Sequence, residues 1–332
     1  MINPYSGVTW GTVTRVMSCS HEHCEDQSDF NVLIESSGLR HIAISNYYPS
    51  APVYPLSAKF DYGIPAGAIS CPNAEHHNLS IKGTPLSRLH INGLGSFYSS
   101  GSPRGEVPFG CQGVDVLTIV GAICNHLQFP DGGGVTINHP YWSRLSIDDI
   151  EYILDYDDRV LGLEIFNSFI EKEDAPESMV GNIEKWDAVL LTGRRCWGFC
   201  VADHQGQQFP DWMGRNILLV DEATEHKCLQ AYRKGAFYGQ LKNSNLAFTN
   251  ISFSNGTFEV STANAETIKV VIDGVATEYN CNSVSVAVPD NATYVRAEGH
   301  SADDIVFSNP VMLKEYSHKP LNATENILLF MS

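Results

Sequence analysis

Up to about residue 240 the chain alternates between two textures. Short apolar runs of strand length, such as "HIAIS" (41–45), "GVTINHP" (134–140), "RVLGLEIFN" (159–167), "CWGFCVADH" (196–204) and "NILLV" (216–220), are separated by stretches with helical spacing of apolar residues. "SDFNVLIESSGL" reads as a helix with Ser28 as N-cap, Phe30, Leu33 and Ile34 on one face and Gly38 closing it. "VDVLTIVGAICNHLQF", "SIDDIEYILDY" with a Ser146–Asp149 capping arrangement, "MVGNIEKWDAVLLTG" and "EHKCLQAYRKGAF" read as further helices, and "GVTWGTVTRVM" (7–17) as the opening strand. Repeated strand–helix units predict an α/β fold, a barrel or a doubly wound sheet. The barrel is the better expectation because polar residues recur just after several different strands, where such barrels place their chemistry.

From about residue 243 the pattern changes to short alternating runs broken by Asn-Gly, Asp-Gly and Pro: "AFTNISFSNGTFEVST", "TIKVVIDG", "SVSVAVP", "TYVRAEG" and "DIVFSNPVML". This predicts a small antiparallel, sandwich-like β domain over 243–332 behind a larger unit over 1–242. Few catalytic side-chain types lie in it, so its expected role is packing or partner binding.

Charge narrows the classes of partner. Lys plus Arg is 21 against 38 Asp plus Glu, a formal net charge of −17, which repels phosphate backbones and argues against a nucleic-acid partner. No apolar run reaches the roughly 18–20 residues of a membrane span, and the opening "MINPYSGVTWGTV" has neither a basic segment nor an apolar signal core. Nine scattered cysteines without a CxxC pair read as reduced, buried thiols, so a cytoplasmic location is expected; the oligomeric state is unreadable.

The chemistry gathers in histidines and acids near predicted strand ends. In "SCSHEHCEDQSDF", His21 and His23 would project to one side of an extended strand, a geometry suited to a borderline divalent cation. Alone, an HxH is a weak signal and more often a solvated loop. "SCPNAEHHNL" adds Glu75, His76 and His77; "SRLHINGLG" adds His90, "GVTINHPYW" His139, and "GFCVADHQG" Asp203 and His204. A buried imidazole can instead bond a backbone carbonyl, and for His90 taken singly the two readings balance. Five such placements along one chain weaken the plainer reading. His41, His126, His226, His300 and His318 fall in other contexts and read as structural or exposed.

The stretches "SHEH", "PNAEHH", "LHINGLG", "INHPYW", "GLEIFNS" and "WGFCVADHQG", in this order, resemble the PHP family (polymerase and histidinol phosphatase domains), with the later "AYRKGAFYG", "YVRAE" and "FSNPVML" similar to members with a C-terminal β module. The resemblance implies a distorted TIM-like (β/α) barrel with a metal cluster at the strand C-termini. It implies that His21, His23 and Asp203 hold one ion, that Glu75 bridges to a second, and that His90 and His139 complete the second; His204 is the alternative last-strand ligand. Three positions depart from the pattern together. Ser28 stands where the family has an acid, "SNY" (Ser45, Asn46, Tyr47) replaces "TDH", and Asp203 is followed by His204 and Gln205 rather than forming Asp-x-His. A third ion is therefore not expected, although Asp26, Asp29, His204 or His76 offers replacement ligands.

The expected cofactors are two divalent ions, Mn, Fe or Zn by donor type. Against Glu75 and Asp203 they leave a local surplus of about +2, enough to hold a phosphate. The expected function is hydrolysis of a small-molecule phosphate ester by a metal-bridged hydroxide, with an amide or cyclic-phosphodiester hydrolase, or a non-catalytic metal-stabilised binding protein, as alternatives. Arg88, Arg104 and Arg144 are candidates to hold phosphate, each also readable as a surface arginine. His77 or His204 would protonate the leaving oxygen. Glu164 and Asn167 would orient a ligand or a water, or simply close a strand end.

Overall fold

The computed structural model describes residues 1–24, 27–45, 67–98, 113–203, 213–314 and 316. The first strand, Thr14–Glu22, is exposed at its start and buried at its end. It runs parallel to His41–Ile44, which pairs in parallel with Ile69–Ser70. On its other side lies Arg215–Val220, antiparallel, followed by Phe237–Gln240, also antiparallel. A second sheet has the order Trp197–Val201, Val160–Asn167, Gly134–Ile137, Ile91–Leu94, Glu75–His76; its first two pairings are parallel and its last two antiparallel. The two sheets meet where Thr14–Glu22 packs against Trp197–Val201.

The expected closed barrel is not seen: among the described residues no sheet closes on itself. The reason lies at one edge. Phe237–Gln240 pairs with Ile305–Ser308 instead of with a further barrel strand, so the sheet continues outward through Tyr294–His300, Thr267–Ile272 and Val275–Tyr279. The C-terminal strands thereby take the hydrogen bonds along that edge. Ala247–Ser254, Thr257–Ala263 and Ser283–Ala287 form a separate antiparallel sheet over this extension. Phe248, Phe258 and Val260 share a core with Ile268, Val270, Val295 and Val306. Asn255-Gly256 and Asp273-Gly274 turn the two hairpins with positive φ throughout, as the sequence signals require.

The helices follow their amphipathic stretches. Gln27–Ser37 and Glu225–Lys234 pack on the first sheet, with Phe30, Leu33, Cys228 and Leu229 buried. Val116–Asn125, Ile147–Leu154 and Ser178–Leu191 pack on the second. Asp115 and Thr224 cap two N-termini, and the Ser146–Asp149 capping box forms with both reciprocal bonds. Gly235, at φ 74, ends the Glu225–Lys234 helix in the left-handed region. The opening stretch differs from expectation: residues 7–13 make turns, with Thr9 O accepting from Thr12 N and Val13 N, and the strand starts only at Thr14. Gly7 and Gly11 lower the strand tendency there, and Trp10 anchors the segment by donating from Nε1 to Ile251 O at 3.2 Å.

A buried ion network fastens the Ser178–Leu191 helix to the C-terminal strands. Arg296 donates through Nε and Nη2 to the two Asp187 oxygens at 2.8 Å each and through Nη1 to Glu298 at 2.7 Å, beneath the Trp186 ring. In the second sheet, Gly162 faces the Trp197 backbone so closely that an added Cβ would overlap its amide nitrogen and carbonyl oxygen. Gly162→Ala is expected to lower unfolding stability by about 3 kcal/mol, because the strand pair must part to admit the methyl group. Urea denaturation checks this; a loss within error of zero would contradict the close approach.

Candidate metal centre

Six side chains from five distant segments converge at one end of the strands. His21 lies near the end of Thr14–Glu22 and His23 just past it, two positions on, so the extended alternation sends both rings to the same side. Glu75 enters from Glu75–His76, His90 immediately precedes Ile91–Leu94, His139 lies just beyond Gly134–Ile137, and Asp203 beyond Trp197–Val201. All six are buried. Backbone bonds pin the loop ends to one another: Asp203 N donates to His21 O at 2.9 Å, Glu75 N to Ser45 O at 2.9 Å and Asn138 N to His90 O at 3.1 Å.

The donors fall into two sets that share Glu75. One is His21, His23, Glu75 and Asp203, the other Glu75, His90 and His139, each with ligand atoms within 4.8 Å of one another. Glu75 Oε2 lies 3.4 Å from His21 Nε2 and 3.3 Å from His23 Nε2. Asp203 Oδ1 lies 3.1 and 3.2 Å from the same two nitrogens. Glu75 Oε1 faces the other way, 2.8 Å from His90 Nδ1 and 3.6 Å from His139 Nε2. Each carboxylate oxygen of Glu75 therefore serves a different pair of imidazoles.

These donors fit divalent cations. His21 Nδ1 donates to Glu164 Oε1 at 2.7 Å, so in a neutral ring Nε2 carries a lone pair. That lone pair faces Glu75 Oε2 and Asp203 Oδ1, and none of the three buried atoms makes a hydrogen bond among the described residues. Three lone pairs aimed at one centre are reconciled only by a cation or by a proton on the ring. In the metal-free chain the proton wins. Burial alone would lower the pKa of His21, but Asp203, Glu75 and Glu164 outweigh it and hold it well above the usual histidine range. His23 is treated the same way: burial opposes its charge, Asp203 and Glu75 favour it, and its pKa rises to about 9. Against the desolvation that would raise them, Glu75 is held well below the ordinary carboxylate range by His21 and His90, and Asp203 is lowered by His21 and His23.

A surrounding shell orients these groups. Glu164 accepts from His21 Nδ1 with one oxygen, and with the other from His139 N at 2.8 Å and Asn167 Nδ2 at 2.9 Å. Asn167 also donates to Asp203 Oδ2 at 3.0 Å, so one amide ties two carboxylates. Sequence reasoning left Glu164 and Asn167 between two roles; here they hold imidazoles and acids in place. It missed Asn138, whose Nδ2 donates to Glu75 Oε1 at 3.0 Å, and Ser143, 3.0 Å from His139 Nδ1. An Asn directly before His139 at the end of an apolar strand was the available signal. It also passed over Glu22, fully buried between the two histidines, where burial pushes the carboxyl up to about 8. His139 and Asp203 have φ of 29 and 51. Both are strained backbones for residues with a side chain, and His139 also precedes a proline.

The remaining candidates occupy different places. Arg88 is exposed, with its guanidinium 4.5 Å from the Trp142 ring centre; that ring lies edge-on 4.9 Å from His139 and 5.8 Å from His90. Arg144 is exposed in a turn at φ 59 and has no contact with the cluster among the described residues. His77 stands edge-on to His90 at 5.5 Å; burial and then the charge of His90 lower its pKa to about 4, which keeps the ring neutral at pH 7. His76 stacks on Tyr98 at 5.4 Å, outside both donor sets. Ser45 holds the first strand instead, its Oγ accepting from Glu22 N at 2.9 Å, and Ser28 is exposed. His204, Gln205, Asn46, Tyr47, Asp26, Arg104 and the side chain of Asp29 lie outside the described residues.

Two outcomes follow from this geometry. Cation binding must expel the protons held by His21 and His23, so at pH 7 about one to two protons should be released per chain. The sign is fixed by the raised pKa values: apparent affinity climbs as pH rises from 7 through about 9, where His23 loses its proton. Calorimetry in buffers of different ionisation enthalpy measures the release, and a buffer-independent heat would contradict it. Glu164→Ala should weaken metal retention against a competing chelator by about 10–100-fold while the far-ultraviolet circular dichroism is unchanged.

No family model and no curated protein matches the chain. Among solved structures, it is similar to a two-domain protein from Bacteroides vulgatus containing a predicted PHP-like metal-dependent phosphoesterase. The similarity covers 96% of this chain and 90% of that one, at 10% identity and a TM-score of 0.44.

Proposed function

We propose that the chain is a metal-dependent hydrolase that removes phosphate from a small molecule. The observation that carries this reading is the division of labour at Glu75, whose two oxygens face two separate sets of buried imidazoles. That arrangement suits two cations of like charge held close together with a carboxylate between them. His21, His23 and Asp203 would hold one, His90 and His139 the other. Manganese, iron or zinc matches the mixture of nitrogen and oxygen donors. Bound there, such ions supply Lewis-acid polarisation of a phosphoryl oxygen and raise the acidity of water near neutral pH.

The chain's own groups do the rest. Glu164 fixes the His21 ring so that Nε2 faces inward, and Asn167 keeps the Asp203 carboxylate turned toward the same centre. Asn138 holds Glu75 Oε1 between its imidazoles. Arg88, exposed and backed by Trp142, reaches solvent at the rim and would bind an oxygen of an incoming phosphate. His77, neutral at pH 7, suits hydrogen bonding to substrate better than proton donation. That leaves His204, next to Asp203 in the chain, as the imidazole for protonating the leaving oxygen.

The test is metal analysis together with turnover. About two transition-metal ions per chain and hydrolysis of an aryl phosphate are expected, with Glu75→Ala reducing turnover to background. Arg88→Ala should raise KM about tenfold and change kcat little, as expected for loss of one charge-assisted bond to bound phosphate. Stoichiometric metal with no turnover across a broad panel of phosphate esters would sink the proposal. Turnover of amides or cyclic phosphodiesters alone would redirect it to the other bond.

A further inference from the structure

A second concave site lies at the opposite end of the same strands. A cavity of about 750 Å³ is walled by the turns of residues 2–13, the end of Arg215–Val220, the Glu225–Lys234 helix and Arg195–Trp197. Val13, in its wall, immediately precedes the strand whose far end carries His21, with His23 just beyond it. Val13 and His21 are eight residue steps of extended chain apart, roughly 25 Å. Trp197 likewise opens the strand that leads to Asp203. The cavity is therefore separate from the metal centre, and nothing in the proposed hydrolysis uses it.

Its charge runs against the rest of the chain. Over the whole sequence acids outnumber bases 38 to 21, yet this wall carries Arg195, Lys227, Arg233 and Lys234 against the single carboxylate of Asp221. Asp221 is already paired with Lys227 at 2.9 Å. Arg195 donates from Nη2 to the carbonyls of Asp158 and Val160. Arg233 donates to the carbonyls of Gly133, Gly132 and Pro130. Carbonyl oxygens satisfy donors and fix the guanidinium groups in place, but they do not cancel charge. Burial accordingly holds both arginines below their usual range, and Asp158 acts on them only through space. Two half-buried cations and an exposed lysine thus share one concavity with no carboxylate partner among the described residues.

We infer that this cavity binds a phosphorylated small molecule. A phosphate group would supply the missing negative charge, its oxygens taking the guanidinium N–H groups that the carbonyls do not use, those on Arg195 Nε and Nη1 among them. The hydroxyls of Thr9 and Thr12 and the apolar Val8 and Val13 line the remaining volume, which suits a body of sugar or nucleotide size. A polynucleotide is disfavoured because the site is a single small concavity on an otherwise acidic chain.

The experiment is calorimetric titration of the full-length chain with inorganic pyrophosphate, before and after metal removal on a chelating resin. Saturable binding that survives metal removal, is unchanged in Glu75→Gln and falls about tenfold in Lys234→Glu is expected. Lys234 is exposed, so its reversal leaves the core intact; Arg195→Gln, which keeps a donor and removes the charge, is the second variant and should weaken binding similarly. Absence of saturable binding, loss of binding on metal removal or in Glu75→Gln, or indifference to both charge changes would overturn the inference. None of these outcomes depends on phosphatase turnover.

Discussion

The site is governed by the cost of placing carboxylates out of water. Glu75, Asp203 and Glu164 are each almost completely buried within one small volume, and ionised acids persist in such a place only beside positive charge. The chain supplies imidazoles, which are cationic only when protonated, so the arrangement has two self-consistent states. In one, protons on His21 and His23 neutralise the acids and the cluster is a network of salt bridges. In the other, divalent ions would take the place of those protons, with the same nitrogens as ligands. The fold need not rearrange to pass between them, because Glu164, Asn138 and Asn167 hold the side chains from behind in either case.

Much of this was legible in the chain because the chemistry sits at strand ends, and strand ends are marked by short apolar runs. His21, His23, Glu75, His90, His139 and Asp203 could all be picked out in that way, although each was ambiguous by itself. Their repeated position weakened the plainer reading, and the order of short stretches such as "SHEH", "INHPYW" and "WGFCVADHQG" along the chain joined them into ligand sets. The outer shell was less visible. Asn138 and Ser143 each act on one member of the cluster through a hydrogen bond set by turn geometry, which composition does not encode. The helices with caps at Asp115, Ser146 and Thr224 were readable for the opposite reason, since capping is local. Closure of the sheet was not readable. It depended on whether Phe237–Gln240 met a barrel strand or a strand from some 65 residues further on, a choice between long-range partners that periodicity cannot make.

The backbone bears the strain that the site requires. His139 follows the central strand of the second sheet and Asp203 its edge strand, and both adopt positive φ. In each case neighbouring bonds over-determine the conformation: His139 N is held by Glu164, and Asp203 N by His21 O. Such conformations persist where the surroundings allow no alternative. Their occurrence at two members of the cluster marks it as a place where shape was favoured over local ease.

The ladder between Phe237–Gln240 and Ile305–Ser308 has a further implication for how this protein can change over evolutionary time. Parts joined by a loose tether behave as interchangeable cassettes, exchanged without disturbing what they leave behind. Here the seam is a row of backbone hydrogen bonds reinforced by the Arg296–Asp187 ion pair, so grafting a foreign tail would leave a raw sheet edge and a stranded charge. The outer hairpins consequently keep a fixed bearing toward the metal-facing end, and any change in what they touch must come by substitution within the existing strands.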